Sequence, residues 1–342
     1  MTGAVIAFTR RGAALGKELT GLFEKATLHV PPRLGDELGE ASYESLSGWT
    51  AEYWGAEALV FIGACGIAVR AIAPHVRDKL TDPCVVCVDE GGRFAVPILS
   101  GHVGGGNDLA RRVAACTGGT AVVTTATDVN GRFSVDQWAA RQGLHLGNRG
   151  AIKAISAALL EGREVGFSSD FPWEGPLPDG VGREGAQVGF AVTLDPKASP
   201  FPQTLRLSPP VLALGVGCRR GTAAAAIAGA VDEALARGGL APEAVYQVCT
   251  IDRKGDEAGL VEFCRSRGLP LVTYSAEELA AVPGEFTPSL FVEKTVGVDN
   301  VCERSALAGG GRLLMPKQAG SGVTVAVAQR PYTVRFDKEE AD

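Results

Sequence analysis

The 342-residue chain gathers its chemistry-bearing side chains into four short loops, each following a strand-like apolar run. The richest is Ser100-Gly101-His102-Val103-Gly104-Gly105-Gly106-Asn107-Asp108. His102 is one of only four histidines, and an imidazole titrates near neutral pH, which suits it to proton transfer. Three consecutive glycines are costly to order, so Gly104, Gly105 and Gly106 mark a backbone that bends sharply or comes close to a ligand. Asn107 and Asp108 have an ordinary alternative as caps of the following helix. The pattern fits neither GxGxxG nor GxxxxGK[ST], so it does not indicate a nucleotide.

Gly63-Ala64-Cys65-Gly66 is a second loop, with Arg70 one turn into the helix behind it. Amides at a helix start can hold a carboxylate and an arginine can clamp it; a glycine turn beside a surface arginine explains the residues equally well. Thr124-Thr125-Ala126-Thr127-Asp128 is the third. Its hydroxyls suit an anionic group, and Asp128 is either a base or, more commonly, a helix cap. The fourth, Gly215-Val216-Gly217-Cys218-Arg219-Arg220-Gly221-Thr222, sets two arginines at a helix start and fits carboxylate recognition. All four are expected at the carboxyl ends of strands, the usual ligand side of an open α/β sheet. Asp89 and Glu90 precede Gly91-Gly92 and read as a hairpin turn.

The elements around these loops alternate strand and helix in both terminal thirds of the chain. AVIAFT, EALVFIG, PCVVCVDE and FAVPIL read as strands, and NDLARRVAACTG reads as an amphipathic helix. Later, VLALGVGC, VYQVCTID, LPLVTYS and GVTVAVAQR read as strands, with Ala-rich TAAAAIAGAVDEALARGG a helix stopped by Gly238-Gly239. The middle differs: EVGFSS, AQVGFAVTL and TLRLS suggest short antiparallel strands, Asn148 a helix cap, and the proline-rich DPKASPFPQTLRLSPP a boundary. The expected fold class is α/β, with two α/β domains of mostly parallel sheets joined by a small central module. The boundaries are drawn at 1–130, 131–208 and 209–336, and the charged tail DKEEAD is expected to fray.

Composition excludes several functions. Hydrophobic residues make up 46% and charged residues 21%, an ordinary globular balance, while 6% aromatics argue against stacking on single-stranded nucleic acid. A net charge of −6 without a basic block argues against nucleic acid or anionic membrane as a partner. No apolar run reaches the roughly 20 residues needed to span a bilayer, and the N-terminus lacks signal-peptide order, so a cytoplasmic location is expected. The eight cysteines include a CxxC at Cys84 and Cys87, but within a strand those side chains point to opposite faces and cannot easily share one zinc ion.

These loops resemble the CbiG family, the cobalt-precorrin-5A hydrolases of the anaerobic cobalamin route. The resemblance runs through GACGIAVRAIAP, DPCVVCVDEGGRFAVPILSGHVGGGNDLARRVA, VVTTATD and NRGAIKAISAALLEG. It continues through LALGVGCRRGT, TIDRKGDEAGL, FVEKTVGVDNVCERSAL and LLMPKQAGSGVTVAVA, covering nearly the whole chain in order. The C-terminal unit alone also resembles CobE of the aerobic route. Two departures are Gly105-Gly106-Asn107 where relatives tend to GGAN, and Ala223, Ala224, Ala225 and Ala226 where relatives often carry acids. No catalytic carboxylate is therefore placed on that helix.

The resemblance implies opening of the ring-A lactone of cobalt-precorrin-5A with loss of acetaldehyde. It casts His102 as general base, oriented by Asp108 or Asp128, with the amides of Gly104, Gly105 and Gly106 on the oxyanion. Arg70, Arg219 and Arg220 would hold substrate carboxylates from two sides of a cleft between the terminal domains. Gly63, Cys65, Gly66, Asn107, Thr125, Gly217 and Cys218 would complete the binding surface. No cofactor and no protein-bound metal are expected, because the substrate itself carries the cobalt. The partners are that small molecule and other corrin-pathway enzymes taking the product; a non-catalytic carrier of corrinoid precursors is the alternative.

Overall fold

The computed structural model describes residues 1–78, 81–102, 104–183, 185–288, 298–320 and 322–336. Val103, the stretch 289–297 of one family-like motif and the charged tail at 337–342 lie outside them. The chain divides into two units, Met1–Trp138 and Ala139–Asp342.

In the first unit, the described residues form a sheet from β1 (Thr2–Ala7), β2 (Lys25–Val30), β3 (Ala41–Ser42), β4 (Ala58–Ile62), β5 (Cys84–Val88), β6 (Phe94–Leu99) and β7 (Thr120–Ala121). Their order is 3-2-1-4-5-6-7. The helices are α1 (Arg10–Thr20), α2 (Pro32–Leu38), α3 (Leu46–Tyr53), α4 (Cys65–Ile72), α5 (Gly106–Thr117), α6 (Ala126–Val129) and α7 (Val135–Arg141). Val5, Ala7, Val60, Ile62, Val86 and Val88 form one core with Ala13 and Leu19 of α1 and Leu109 and Val113 of α5. Ala4, Ile6, Leu59, Phe61, Val85 and Cys87 form another, against Trp49 of α3 and Ala68, Ala71 and Ile72 of α4. Side chains alternate along a strand, so a sheet covered on both faces reads as an unbroken apolar run. Burying each large apolar side chain contributes about 1.5–3 kcal/mol. Cys84 and Cys87 do lie in opposite cores.

Strand direction decides where the candidate loops go. β1, β2, β4 and β5 are parallel. The expected hairpin then forms: the Asp89 carboxylate accepts from the Gly91 and Phe94 amides at 3.1 and 2.7 Å, and Gly92 takes φ +70°. β6 consequently runs antiparallel to β5, with Val88 opposite Ala95 and Val85 opposite Leu99. β7 is parallel to β6. Each loop follows the carboxyl end of its own strand, yet the polar loops do not share an edge, because β6 and β7 run against β5. Residues 63–66 cap the carboxyl ends of the parallel strands, whereas residues 100–108 and 124–128 leave the sheet where β1, β4 and β5 begin. The five residues of β4 separate the two edges, roughly 15 Å at about 3.3 Å per residue.

The second unit opens with β8 (His145–Leu146), α8 (Gly150–Leu160), β9 (Val165–Ser169), β10 (Trp173–Glu174), β11 (Val181–Gly182), β12 (Val188–Val192) and β13 (Gln203–Ser208). It continues with β14 (Leu212–Cys218), α9 (Ala224–Gly238), β15 (Val245–Ile251), α10 (Ala258–Arg267), β16 (Leu271–Tyr274), α11 (Ala276–Ala281), α12 (Val301–Gly309), β17 (Arg312–Gly320), β18 (Val323–Gln329) and β19 (Val334–Arg335). Among the described residues these make sheets of order 11-9-12-13-8 and 16-15-14-18-17, plus the pair β10 and β19. The strands β9, β12 and β13 were expected to be antiparallel; they are parallel. Their connections, 170–187 and 193–202, are long enough to cross over rather than fold back as hairpins. β13 lies inside the proline-rich tract read as a boundary, and its Leu205 and Leu207 are fully buried. Asn148 does not cap α8, whose N-cap is Arg149. Instead it donates to Thr204 O and accepts from Arg206 N at 2.6 and 2.9 Å, tying the helix start to β13.

Candidate active site

The glycine loop after β6 is folded tightly on itself. Ser100 has φ +50° and Gly105 φ +78°, the left-handed region that a side chain disfavours. A Cβ on Gly104 would strike the Ser100 side chain and carbonyl, and one on Gly106 would press on the carbonyls of Leu99 and Ser100. The glycines are therefore required by the backbone's own path. Gly105 N donates to His102 O and Gly106 N to Ser100 O, at 2.9 and 3.1 Å. Two of the three amides proposed for the oxyanion therefore already satisfy loop carbonyls.

That fold presents His102 to α6 and α7. Its Nε2 lies 2.7 Å from Asp128 Oδ2 and 3.1 Å from the Thr127 hydroxyl. Its Nδ1 lies 3.5 Å from the Ser134 hydroxyl. The ring keeps 18% of its surface exposed, against 10% for Asp128, so the imidazole is the better placed of the two to meet a ligand. Asp128 also accepts from Arg111 at 2.6 Å and from Asn107 at 3.1 Å. Burial alone would raise the Asp128 carboxyl, but hydrogen bonds from Arg111, His102 and Thr125 outweigh it and hold the group below the ordinary carboxylate range. Opposed in turn by desolvation, the Arg111 guanidinium is pushed above its usual range by Asp128 and Asp108.

Of the two carboxylates considered for orienting His102, Asp128 is the one at hydrogen-bond distance. Asp108 pairs with Arg111 at 2.9 Å on the helix surface. Asn107, 2% exposed, is no helix cap either: it donates to Thr125 Oγ1 at 2.9 Å as well as to Asp128. The structure thus brings together His102, Asn107, Thr125 and Asp128, with Asp108 joined through Arg111. Sequence reasoning missed Arg111, although its place one turn after Asp108 on an amphipathic helix was a usable signal. Ser134 and Asp136, beside His102, were missed as well, because nothing in their own spacing points to a histidine so far back in the chain.

The remaining candidates form separate groups. At the opposite edge of the first sheet, the Arg70 guanidinium folds back over Gly66, 3.6 Å from where a Cβ would stand. A ring from Phe8 packs over Gly63, and Cys65 is exposed at the first position of α4. In the second unit, β14 carries Gly217 and Cys218 to the edge where it is parallel to β15 and antiparallel to β18. Arg219 N donates to Gly322 O at 3.1 Å, and the Arg219 side chain lies across Gly322. Gly221 N donates to Glu257, which is paired with Lys254 at 2.9 Å. Burial raises the Cys218 thiol. Arg219 and Arg220 thus stand in a loop at the carboxyl edge of β14, with the Arg220 charge helping to hold the Glu257 carboxyl below its ordinary range, behind the hydrogen bonds from Lys254 and Gly221 N.

Comparison with known proteins covers the same stretches. Residues 48–128 match the family model for the cobalamin synthesis G N-terminal region, 133–209 the cobalamin biosynthesis central region, and 212–328 the cobalamin synthesis G C-terminus. The chain is 31% identical to the cobalt-precorrin-5A hydrolase of Priestia megaterium, covering 96% of this chain and 95% of that one. It is 32% identical to the cobalt-precorrin-5A hydrolase of Salmonella typhimurium, over 95% and 96%. Protein CobE of a Sinorhizobium species is 32% identical over 37% of this chain and 84% of its own length. With identity above 30% across nearly the full length of both hydrolases, the chain belongs to the cobalamin synthesis G (CbiG) family.

Proposed function

We propose that this chain is a cobalt-precorrin-5A hydrolase of cobalamin biosynthesis, opening the ring-A lactone and releasing acetaldehyde to leave cobalt-precorrin-5B. The observation that carries the reading is the end-to-end similarity to relatives bearing that name. The cluster at the amino edge of the first sheet supports this reading through the groups that it gathers around His102. Water adds to the lactone carbonyl and the ring C–O bond breaks. Loss of the proton from the released alcohol then lets the adjacent C–C bond break, with the macrocycle taking the electron pair and acetaldehyde leaving. His102 is the proton-transfer group, held by Asp128 at 2.7 Å. Arg111, 43% exposed beside that pair, is a ready partner for a substrate carboxylate.

Arg70, Arg219 and Arg220 stay in the proposal as carboxylate ligands, though Arg70 and the glycine loop of residues 63–66 serve a different edge from His102. The segments 1–130, 131–208 and 209–336 are proposed as the functional division, with cobalt entering as part of the substrate and the product passing to other corrin-pathway enzymes. Among the described residues no helix is long and apolar enough to cross a membrane; a cytoplasmic location is part of the proposal. The test is mass spectrometry of the purified protein with cobalt-precorrin-5A, with acetaldehyde trapped. A product lighter by the two-carbon fragment, with matching acetaldehyde, supports the hydrolase. Tight binding with no change of mass favours the carrier, and neither binding nor turnover by folded protein rejects the substrate.

A further inference from the structure

We propose that Asp136, bridged by the Ser134 hydroxyl, is a positioning residue for His102, so that two carboxylates hold the imidazole from opposite sides. Ser134 immediately precedes α7 and Asp136 is the second residue of that helix. Ser134 Oγ donates to Asp136 Oδ1 at 2.8 Å, and the same oxygen receives Gln137 N at 3.2 Å. On the other side, Ser134 Oγ stands 3.5 Å and Asp136 Oδ1 3.8 Å from His102 Nδ1. Both residues are buried, Ser134 at 7% and Asp136 at 4% exposure. A carboxylate that deep is retained at a cost unless donors or a cation face it.

Helix capping alone accounts for the contacts to Ser134 and Gln137 N, but not for the approach to the imidazole from the loop after β6. Among the described residues, charged groups at the ring include Asp128 from α6 and Asp136 from α7, with Arg111 of α5 reaching Asp128 and pairing in turn with Asp108. The Nε2 contact with Asp128 is the short one and fixes the ring. The Nδ1 contacts are longer and weaker, so they steer the ring without closing that nitrogen to proton exchange. The consequence for turnover rests on the proposed hydrolase; the two-sided clamp does not.

The discriminating variant is Asp136→Asn, which keeps an acceptor oxygen for Ser134 and Gln137 N and removes only the charge. Nitrogen-15 NMR of the histidines, on the full chain without substrate, should show the His102 titration moving to lower pH in this variant. With cobalt-precorrin-5A, kcat should fall by about tenfold with KM little changed, and the pH–rate profile should move the same way. Ser134→Ala should perturb the His102 Nδ1 resonance while leaving Nε2 in place, and it carries the test should Asp136→Asn not fold. A His102 spectrum and titration unchanged in the folded variants overturns the clamp, whatever the activity. A moved titration in a protein that never turns over substrate would uphold the clamp and reject the hydrolase.

Discussion

An imidazole transfers protons only through a nitrogen that the protein has not already committed. In this chain Nε2 is committed to Asp128 at 2.7 Å, which leaves the Nδ1 side for exchange. His102→Ala is expected to lower turnover by about 100-fold or more while substrate binding persists, read from kinetics set beside a direct binding titration. Asp128→Asn should lose about tenfold or more in kcat because the ring loses its anchor. Asp108→Asn should stay within about threefold, since its ion pair is with a half-exposed Arg111 and surface ion pairs contribute little. Equal losses at Asp108 and Asp128 would contradict the assignment. His102 and Asp128 stand out by residue type and by the loops that hold them. Arg111 is marked only by its spacing from Asp108, and Ser134 and Asp136 not at all, because what brings them to the site is contact across 17 to 34 residues of chain.

Among the elements, the glycine loop is a motif whose own backbone path and whose proposed ligand role call on the same amides. Three glycines announced a special backbone, but whether that backbone serves a ligand or itself depends on the carbonyls it meets. Gly104→Ala should lower unfolding stability by about 1–3 kcal/mol through overpacking against Ser100, measured by urea denaturation; an unchanged midpoint would mean that the loop opens to accommodate the methyl. The apolar runs of β1, β4 and β5 and the hairpin at Asp89 were legible from pattern and turn chemistry. Strand direction was less so, since alternation is the same whichever way a strand runs. The hairpin nonetheless held the clue that reverses β6 and sends His102 to the edge opposite Arg70. β9, β12 and β13 failed for the same reason: their pattern marks strands, while their long connections decide that they are parallel.

Across the whole molecule, the end of the chain does work that its composition conceals. β19 pairs with β10, Trp173 opposite Val334, and Phe336 packs edge-on against Phe167 with centroids 4.9 Å apart. Val334 and Phe336 are 0% and 2% exposed. Ending the chain at Arg330 should therefore destabilise the second unit by about 3 kcal/mol or more, seen as a lower thermal midpoint. A two-residue strand after a proline was too short to read, and the segment 209–336 thus includes a piece that folds into the preceding module. Acid should destabilise the first unit. Burial holds the His29 imidazole below its ordinary value, so its contribution is present above about pH 6.5 and is lost as the pH falls towards the folded value. The Asp128 carboxyl is also depressed, and its contribution disappears at still lower pH, below its ordinary carboxylate range. Thermal melts of the intact chain should fall from pH 7 to pH 5, less steeply in His29→Gln; parallel curves would exclude His29 as the cause.

Everything proposed for this chain turns on lactone opening at the His102 edge of the first sheet. The most direct measurement is acetaldehyde release from cobalt-precorrin-5A by the unaltered protein and by His102→Ala, with substrate binding determined for both. Release by the former is expected, with a loss of about 100-fold or more in the latter and similar binding by each. Undiminished release by His102→Ala would contradict it and would move the chemistry to another loop.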